Sequence, residues 1–256
     1  MSTNNSGRFE WFEYMTNDTD KARAFYSELF NWKIEEQKMT RADGSTYTYT
    51  MFYANGKLVG GLSKPDHVQL TNTWLAYTTV ANLDTAVTYL QQHGGKVLCE
   101  EKLPNIGRWV IAQDPQGIVF SPFESANPNC AAPSDDMATG QFCWHELSTN
   151  NPEQATAFYS DIFGWQIGEK TACSGGGSYQ ILQREGKNFG GVFAADANSK
   201  PIWRHYVAVE SVDETAKRVP QLGGKVLWEP MNIGEQGRIA CFQDNQGAEI
   251  AVWSMK

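Results

Sequence analysis

The sequence predicts an α+β fold built from four βαβββ units, two in each of two tandem copies. Three observations predict it. Residues 9–34 match residues 142–167 at thirteen of twenty-six positions, among them Trp11/Trp144, Glu13/Glu146, Phe25/Phe158, Tyr26/Tyr159 and Trp32/Trp165, so the chain is internally duplicated. Later words return in the same order: Gly60-Gly61 as Gly190-Gly191, GGKVL at 94–98 as 223–227, and DPQG at 114–117 as DNQG at 244–247. Within each copy, the pattern of one strand, one amphipathic helix and three further strands occurs twice.

The elements follow in order. Residues 9–15 form a short aromatic strand, and Asp18 can cap a helix whose apolar positions, Ala22, Phe25, Tyr26, Leu29 and Phe30, lie on one face at helical period. In the second copy Asn151 is the cap, and Pro152 occupies the first helical position, where a missing N–H does no harm. YTYTMFYANGKLVGGL then alternates around Asn55-Gly56, the signature of a tight hairpin, and its counterpart is YQILQREGKNFGGVF. The second unit supplies a strand at 74–80, a helix at 82–92 closed by Gly94, and strands at 96–100, 108–113 and 118–123. Pro220 is expected to shorten or bend the last helix. The stretch rich in Ala, Pro, Ser and Asp between the copies reads as a linker, giving domains at 8–124 and 141–254 joined by 125–140.

Composition narrows the function. With 41% hydrophobic residues the chain can bury a core unaided, and a net charge of −8 without any basic run argues against nucleic acid as a partner. Five cysteines, at 99, 130, 143, 173 and 241, are odd in number and show no CxxC spacing, which fits a reducing compartment better than a disulfide framework. The polar start and the lack of a long apolar run lead us to expect a cytoplasmic protein with no membrane partner.

Paired βαβββ units resemble the vicinal oxygen chelate superfamily, which includes glyoxalase I, bleomycin-binding proteins and extradiol dioxygenases. The likeness is carried by the strand–Asn/Asp–helix segment with AFYS and a closing Trp, by the paired glycines, and by the D(P/N)QG turn, all written twice. It implies that each copy curls its sheet around a pocket with helices outside, and that the two copies pack as an internal pseudo-dimer, further self-association remaining open. In the enzymes of that superfamily the pocket holds a divalent metal. The ligand slots implied by the resemblance fall on Trp11, Leu75 and Ser121 in the first copy and on Trp144, Arg204 and Ala251 in the second. Trp, Leu, Arg and Ala do not ligate divalent ions, and Ser does so poorly, so no cofactor is expected. An alternative is a Zn, Ni or Fe site in the second copy: His145 and His205 each stand one residue past a slot, and Glu249 two residues before one. Bulges in both strands would turn the histidines inward; without them strand alternation points both away from the pocket.

The repeated residues then carry the weight. Trp11 and Glu13 share a strand face, as do Trp144 and Glu146, and in the family register that face lines the pocket. Glu13 and Glu146 are the candidate catalytic acids, with Arg108 and Arg238 as candidate partners, because a buried carboxylate needs one. Ser121 and Glu249 complete the candidate ligand-binding set with Trp11 and Trp144. Structural readings stand beside these: Trp as ordinary core, Glu as a backbone-bonded strand-end residue. Three functions follow: a protein binding a small planar or aromatic molecule in one pocket per domain without metal; a metal-dependent lyase, of the lactoylglutathione lyase type, or a dioxygenase using the second copy; or a non-catalytic interaction protein. His67 in its loop and SGGGS at 174–178 carry little by comparison.

Overall fold

The computed structural model describes residues 6–41, 43–65, 70, 72–127, 137–172, 176–196 and 199–255; His67, most of the linker and the start of SGGGS lie outside these residues. The first copy runs β1 (Phe9–Met15), α1 (Thr19–Phe30), β2 (Lys33–Thr40), β3 (Thr46–Ala54), β4 (Lys57–Ser63), then β5 (Thr73–Thr79), α2 (Leu83–Gln92), β6 (Lys96–Leu103), β7 (Gly107–Gln113) and β8 (Val119–Ser125). The second repeats the order: β9 (Phe142–Thr149), α3 (Pro152–Phe163), β10 (Gln166–Ala172), β11 (Ser178–Arg184), β12 (Lys187–Ala194), β13 (Ile202–Ala208), α4 (Val212–Gln221), β14 (Lys225–Asn232), β15 (Arg238–Gln243) and β16 (Glu249–Ser254).

Local chemistry accounts for these elements. Asp18, Asn82, Asn151 and Ser211 each accept a backbone N–H of the first helical turn. The first and third helices end on left-handed residues, Asn31 and Gly164. The β3–β4 hairpin turns on Asn55 and Gly56, both at positive φ, the geometry that matches the twist of the flanking strands; Glu185 and Gly186 do the same between β11 and β12. Pro220 does not shorten its helix: α4 has 10 residues, as does α2. It stands next to last, where only one helical hydrogen bond is forfeited before the helix would end anyway.

Each copy forms one eight-stranded mixed sheet curled into a half-barrel, ordered β2-β3-β4-β1-β5-β8-β7-β6 and β10-β11-β12-β9-β13-β16-β15-β14. The first strands of the two units meet antiparallel at the centre, Trp11 opposite Tyr77 and Glu13 opposite Leu75. The glycine pairs make the curl possible. A Cβ on Gly60 or Gly190 would overlap the carbonyl of Phe12 or His145 on the adjacent parallel strand.

The helices lie on the convex sides, and the two sheets pack back to back through them. One core joins α1 residues Phe25, Tyr26 and Leu29 to Val212, Val219, Phe242 and Ile250 of the second copy; the other joins Leu83, Leu90 and Phe120 to Phe158, Tyr159 and Phe163. Two smaller clusters, one around Leu75, Tyr77 and Phe123 and one around Tyr206, Cys241 and Ala251, line the concave faces. The concavities therefore open outward from a shared core.

Candidate functional site

Strand alternation places Trp11 and Glu13 of β1 on the concave face, with Phe12 and Tyr14 in the convex core. Glu13 is almost fully buried and is held by two tyrosines: Tyr49 donates to Oε1 at 2.8 Å and Tyr77 to Oε2 at 2.6 Å. Trp11 Nε1 donates in turn to the Tyr49 hydroxyl at 2.9 Å. The second copy repeats the chain. Trp144 donates to Tyr179 at 2.8 Å, Tyr179 to Glu146 Oε1 at 2.8 Å, and Tyr206 to Glu146 Oε2. A Cβ on Gly61 or Gly191 would collide with the Tyr49 or Tyr179 ring, so the second glycine of each pair makes room for the tyrosine that reaches the acid.

Burial pushes the Glu13 carboxyl upward from the ordinary range, against the hydrogen bonds from Tyr77 and Tyr49. Glu146 is raised by burial too, but there the positive charge of Arg204 joins the tyrosines in opposing the shift. Both acids are thus embedded in an aromatic wall that disfavours their charged form. A cavity of 1040 Å³ opens over the first, lined by Trp11, Glu13, Tyr47, Tyr49, Met51, Tyr77, Trp109 and Phe123. It continues past the ends of β1 and β9 to Phe142, His145 and Phe189.

Two of the remaining candidates, the arginines, are placed differently from what the sequence suggested. Arg108 binds Asp84 of α2 and Glu100, and Arg238 binds Asp213 of α4 at 2.6 and 2.8 Å, so neither arginine serves Glu13 or Glu146. Each instead ties its strand to a helix start, where aspartate suits the dipole. The Ser121 hydroxyl is fully buried and donates to the Val110 carbonyl at 2.8 Å. Glu249 pairs with Arg204 at 2.7 Å on the concave face. The partners of both acids are tyrosines, where a buried carboxylate alone suggests positive charge. Their signal was repetition, since Tyr49 and Tyr77 recur as Tyr179 and Tyr206.

The alternative metal set does not converge. A bulge does interrupt β9, but it falls at Cys143, between the pairs Trp144–Tyr206 and Phe142–Val207. It precedes the tryptophan, so Trp144 stays on the concave face and His145 on the convex one. His145 Nδ1 lies 3.0 Å from His205 Nδ1, beneath Phe9, Phe12 and Phe142, on the opposite side of the sheet from Glu249. Desolvation holds both imidazoles neutral, His205 down to about 3 and His145 well below its usual value. Among the described residues no three His, Cys, Asp or Glu side chains gather as a metal site. The residues at the family's ligand slots do not fit a divalent ion.

A concave, half-barrel sheet of paired βαβββ units, repeated twice, defines a class, and comparison with known proteins agrees. The chain belongs to the Glyoxalase/Bleomycin resistance protein/Dioxygenase superfamily, whose model matches residues 8–121 and 141–252. Among curated relatives, "Putative glyoxylase CFP32" of Mycobacterium tuberculosis is 29% identical over 251 residues, covering 96% of this chain and 94% of that protein. "Anthracycline biosynthesis protein DnrV" of Streptomyces peucetius is 30% identical over 132 residues, covering 46% of this chain and 48% of that protein. Among solved structures, the Mn(II)-bound glyoxalase from Novosphingobium aromaticivorans superposes with a TM-score of 0.63 at 16% identity, over 98% of this chain and 82% of that one. Homoprotocatechuate 2,3-dioxygenase from Arthrobacter globiformis gives 0.64 at 14% identity, over 98% and 80%. At such identities these structures speak for the fold alone. No helix among the described residues is long and apolar enough to cross a membrane.

Proposed function

We propose that this protein binds a small planar or aromatic molecule in the concave pocket of its domains, without the metal used by enzymes of its superfamily. The observation that carries this reading is the Trp11–Tyr49–Glu13–Tyr77 chain, which occupies the surface where the family's ligand slots fall and is written again in the second copy. Indole and phenol faces supply stacking area, and one carboxyl supplies a polar anchor that orients the ligand or exchanges a proton with it. The relative named for anthracycline biosynthesis agrees with a planar, fused-ring ligand. The sequestration expected of a bleomycin-resistance-type protein and proton-transfer chemistry on Glu13 both use this arrangement.

The experiment is a titration of intrinsic tryptophan emission with a panel of planar polycyclic compounds. Saturable quenching that Trp11→Phe weakens at least tenfold supports the reading. A panel in which no compound perturbs the emission, with Trp11→Phe altering stability alone, would count against it.

A further inference from the structure

The two concave floors differ at three positions that touch one another. Leu75, Cys99 and Val119 pack in the first copy's concave cluster. Counting from the shared GGKVL and D(P/N)QG words, their counterparts are Arg204, Trp228 and Glu249. These three form a single unit: Arg204 Nη2 meets Glu249 Oε2 at 2.7 Å, and the guanidinium lies over the Trp228 ring at 4.2 Å. Arg204 is only 5% exposed, and it stands directly across from Glu146, where Leu75 stands across from Glu13.

The exchange changes both volume and polarity. An indole replaces a thiol, which fills space, and a stacked ion pair replaces two aliphatic side chains. An apolar ligand resting there would strip residual solvent from charges without offering a hydrogen bond in return, which disfavours its binding. The walls differ too: Tyr47, Met51 and Trp109 line the first cavity, and their counterparts, Gly177, Ile181 and Ile239, offer a planar ligand no aromatic face. The 1040 Å³ cavity reaches Trp11, Glu13 and Tyr77; Trp144, Glu146 and Tyr206 do not line it.

We propose that only the first copy's pocket takes the ligand, a neutral and largely apolar planar molecule, and that Arg204, Trp228 and Glu249 bar that molecule from the second. This rests on the ligand-pocket reading above and narrows it from one site per domain to one site per chain.

Nile red, a neutral planar dye, provides the test, by equilibrium dialysis and by fluorescence titration of the full chain. The unaltered protein binds one dye per chain. Leu75→Arg/Val119→Glu, which writes the second floor's ion pair into the first, weakens binding at least tenfold. Arg204→Leu/Trp228→Cys/Glu249→Val, which writes the first floor into the second, raises the stoichiometry to two. Circular dichroism and thermal melting check that each variant folds; should the triple variant fail to fold, the stoichiometry of the unaltered chain and the Leu75→Arg/Val119→Glu result decide the matter. Two dyes bound per unaltered chain, or undiminished binding by a folded Leu75→Arg/Val119→Glu variant, overturns the inference and leaves the pocket reading standing. No binding by the unaltered chain overturns both.

Discussion

Tyr26, on the first copy's leading helix, donates its hydroxyl to Asp244 Oδ2 in the second copy's last turn at 2.8 Å. Tyr159 makes the reciprocal bond to Asp114 Oδ2 at 3.1 Å. Each aspartate also accepts backbone N–H groups of its own turn, from Gln116 and Ile118 in one case and from Gln246 and Ala248 in the other. The AFYS helix and the D(P/N)QG turn, two of the repeated words, are thus bonded to each other across the copies. Their repetition serves assembly of the shared core rather than the pockets.

Removing either hydroxyl leaves a buried carboxylate short of a partner. Tyr26→Phe and Tyr159→Phe should each cost about 1–3 kcal/mol, and the double variant about the sum, because the two bonds lie in separate cores. Urea unfolding followed by circular dichroism reads both values. A loss under about 0.5 kcal/mol for each would remove the cross-copy bonds from the account of stability.

The histidine pair sets a pH dependence of definite sign. His205 in the folded chain sits near 3 against an ordinary 6.5, and His145 is depressed as well, in both cases first because of burial. With folded values below unfolded ones, the unfolded chain takes up protons first. Their contribution is complete above about pH 6.5 and is lost as the pH falls toward 3. Between pH 6.5 and 5, His205 alone should remove about 2 kcal/mol of stability. The raised carboxyls of Glu13 and Glu146 act oppositely, stabilising at low pH and losing that contribution as the pH rises through their folded values. A comparison isolates the imidazoles: His145→Phe/His205→Ala, which copies Phe12 and Ala76, should lose markedly less stability than the parent over that interval. Parallel pH profiles for the two proteins would show that the pair is not neutral when folded.

Metal content follows from the same face assignment. Untagged protein analysed by plasma mass spectrometry should carry well under one divalent ion per chain, with no change in His145→Ala. Stoichiometric nickel, zinc or iron that disappears in this variant would reinstate the enzyme alternative.

The glycine pairs offer a test that touches the site indirectly. Gly61→Ala must displace the Tyr49 ring, and with it the hold on Glu13 and Trp11. Ligand affinity should fall roughly tenfold or more, a change on the order of 1.4 kcal/mol, while Gly56→Ala in the hairpin turn, where the added methyl meets nothing, should leave affinity unaltered and lower stability alone.

Much of this was legible in the sequence. Duplication fixed the order of elements, caps such as Asp18 and Asn151 marked the helices, and period-two alternation predicted which side of the sheet Trp11 and His145 would take. The partners of Glu13 were not legible. Tyr49 and Tyr77 approach it from strands 36 and 64 residues away, and pairing register, which one-dimensional patterns do not specify, decides that they meet. The arginines misled for the same reason: Arg108 lies at a strand start beside a helix N-terminus, and Asp84 is nearer than any buried acid. Pro220 misled for a local reason, since its position within the last turn, and not its presence, sets its effect.

A crystal structure of the protein soaked with the tightest planar binder from the fluorescence panel tests the central claim most directly. The account predicts electron density for the compound between Trp11, Tyr47 and Trp109, with a polar atom within hydrogen-bonding distance of the Glu13 carboxyl. Density on the convex side of the sheets, or a metal ion held by His145 and His205, would contradict it.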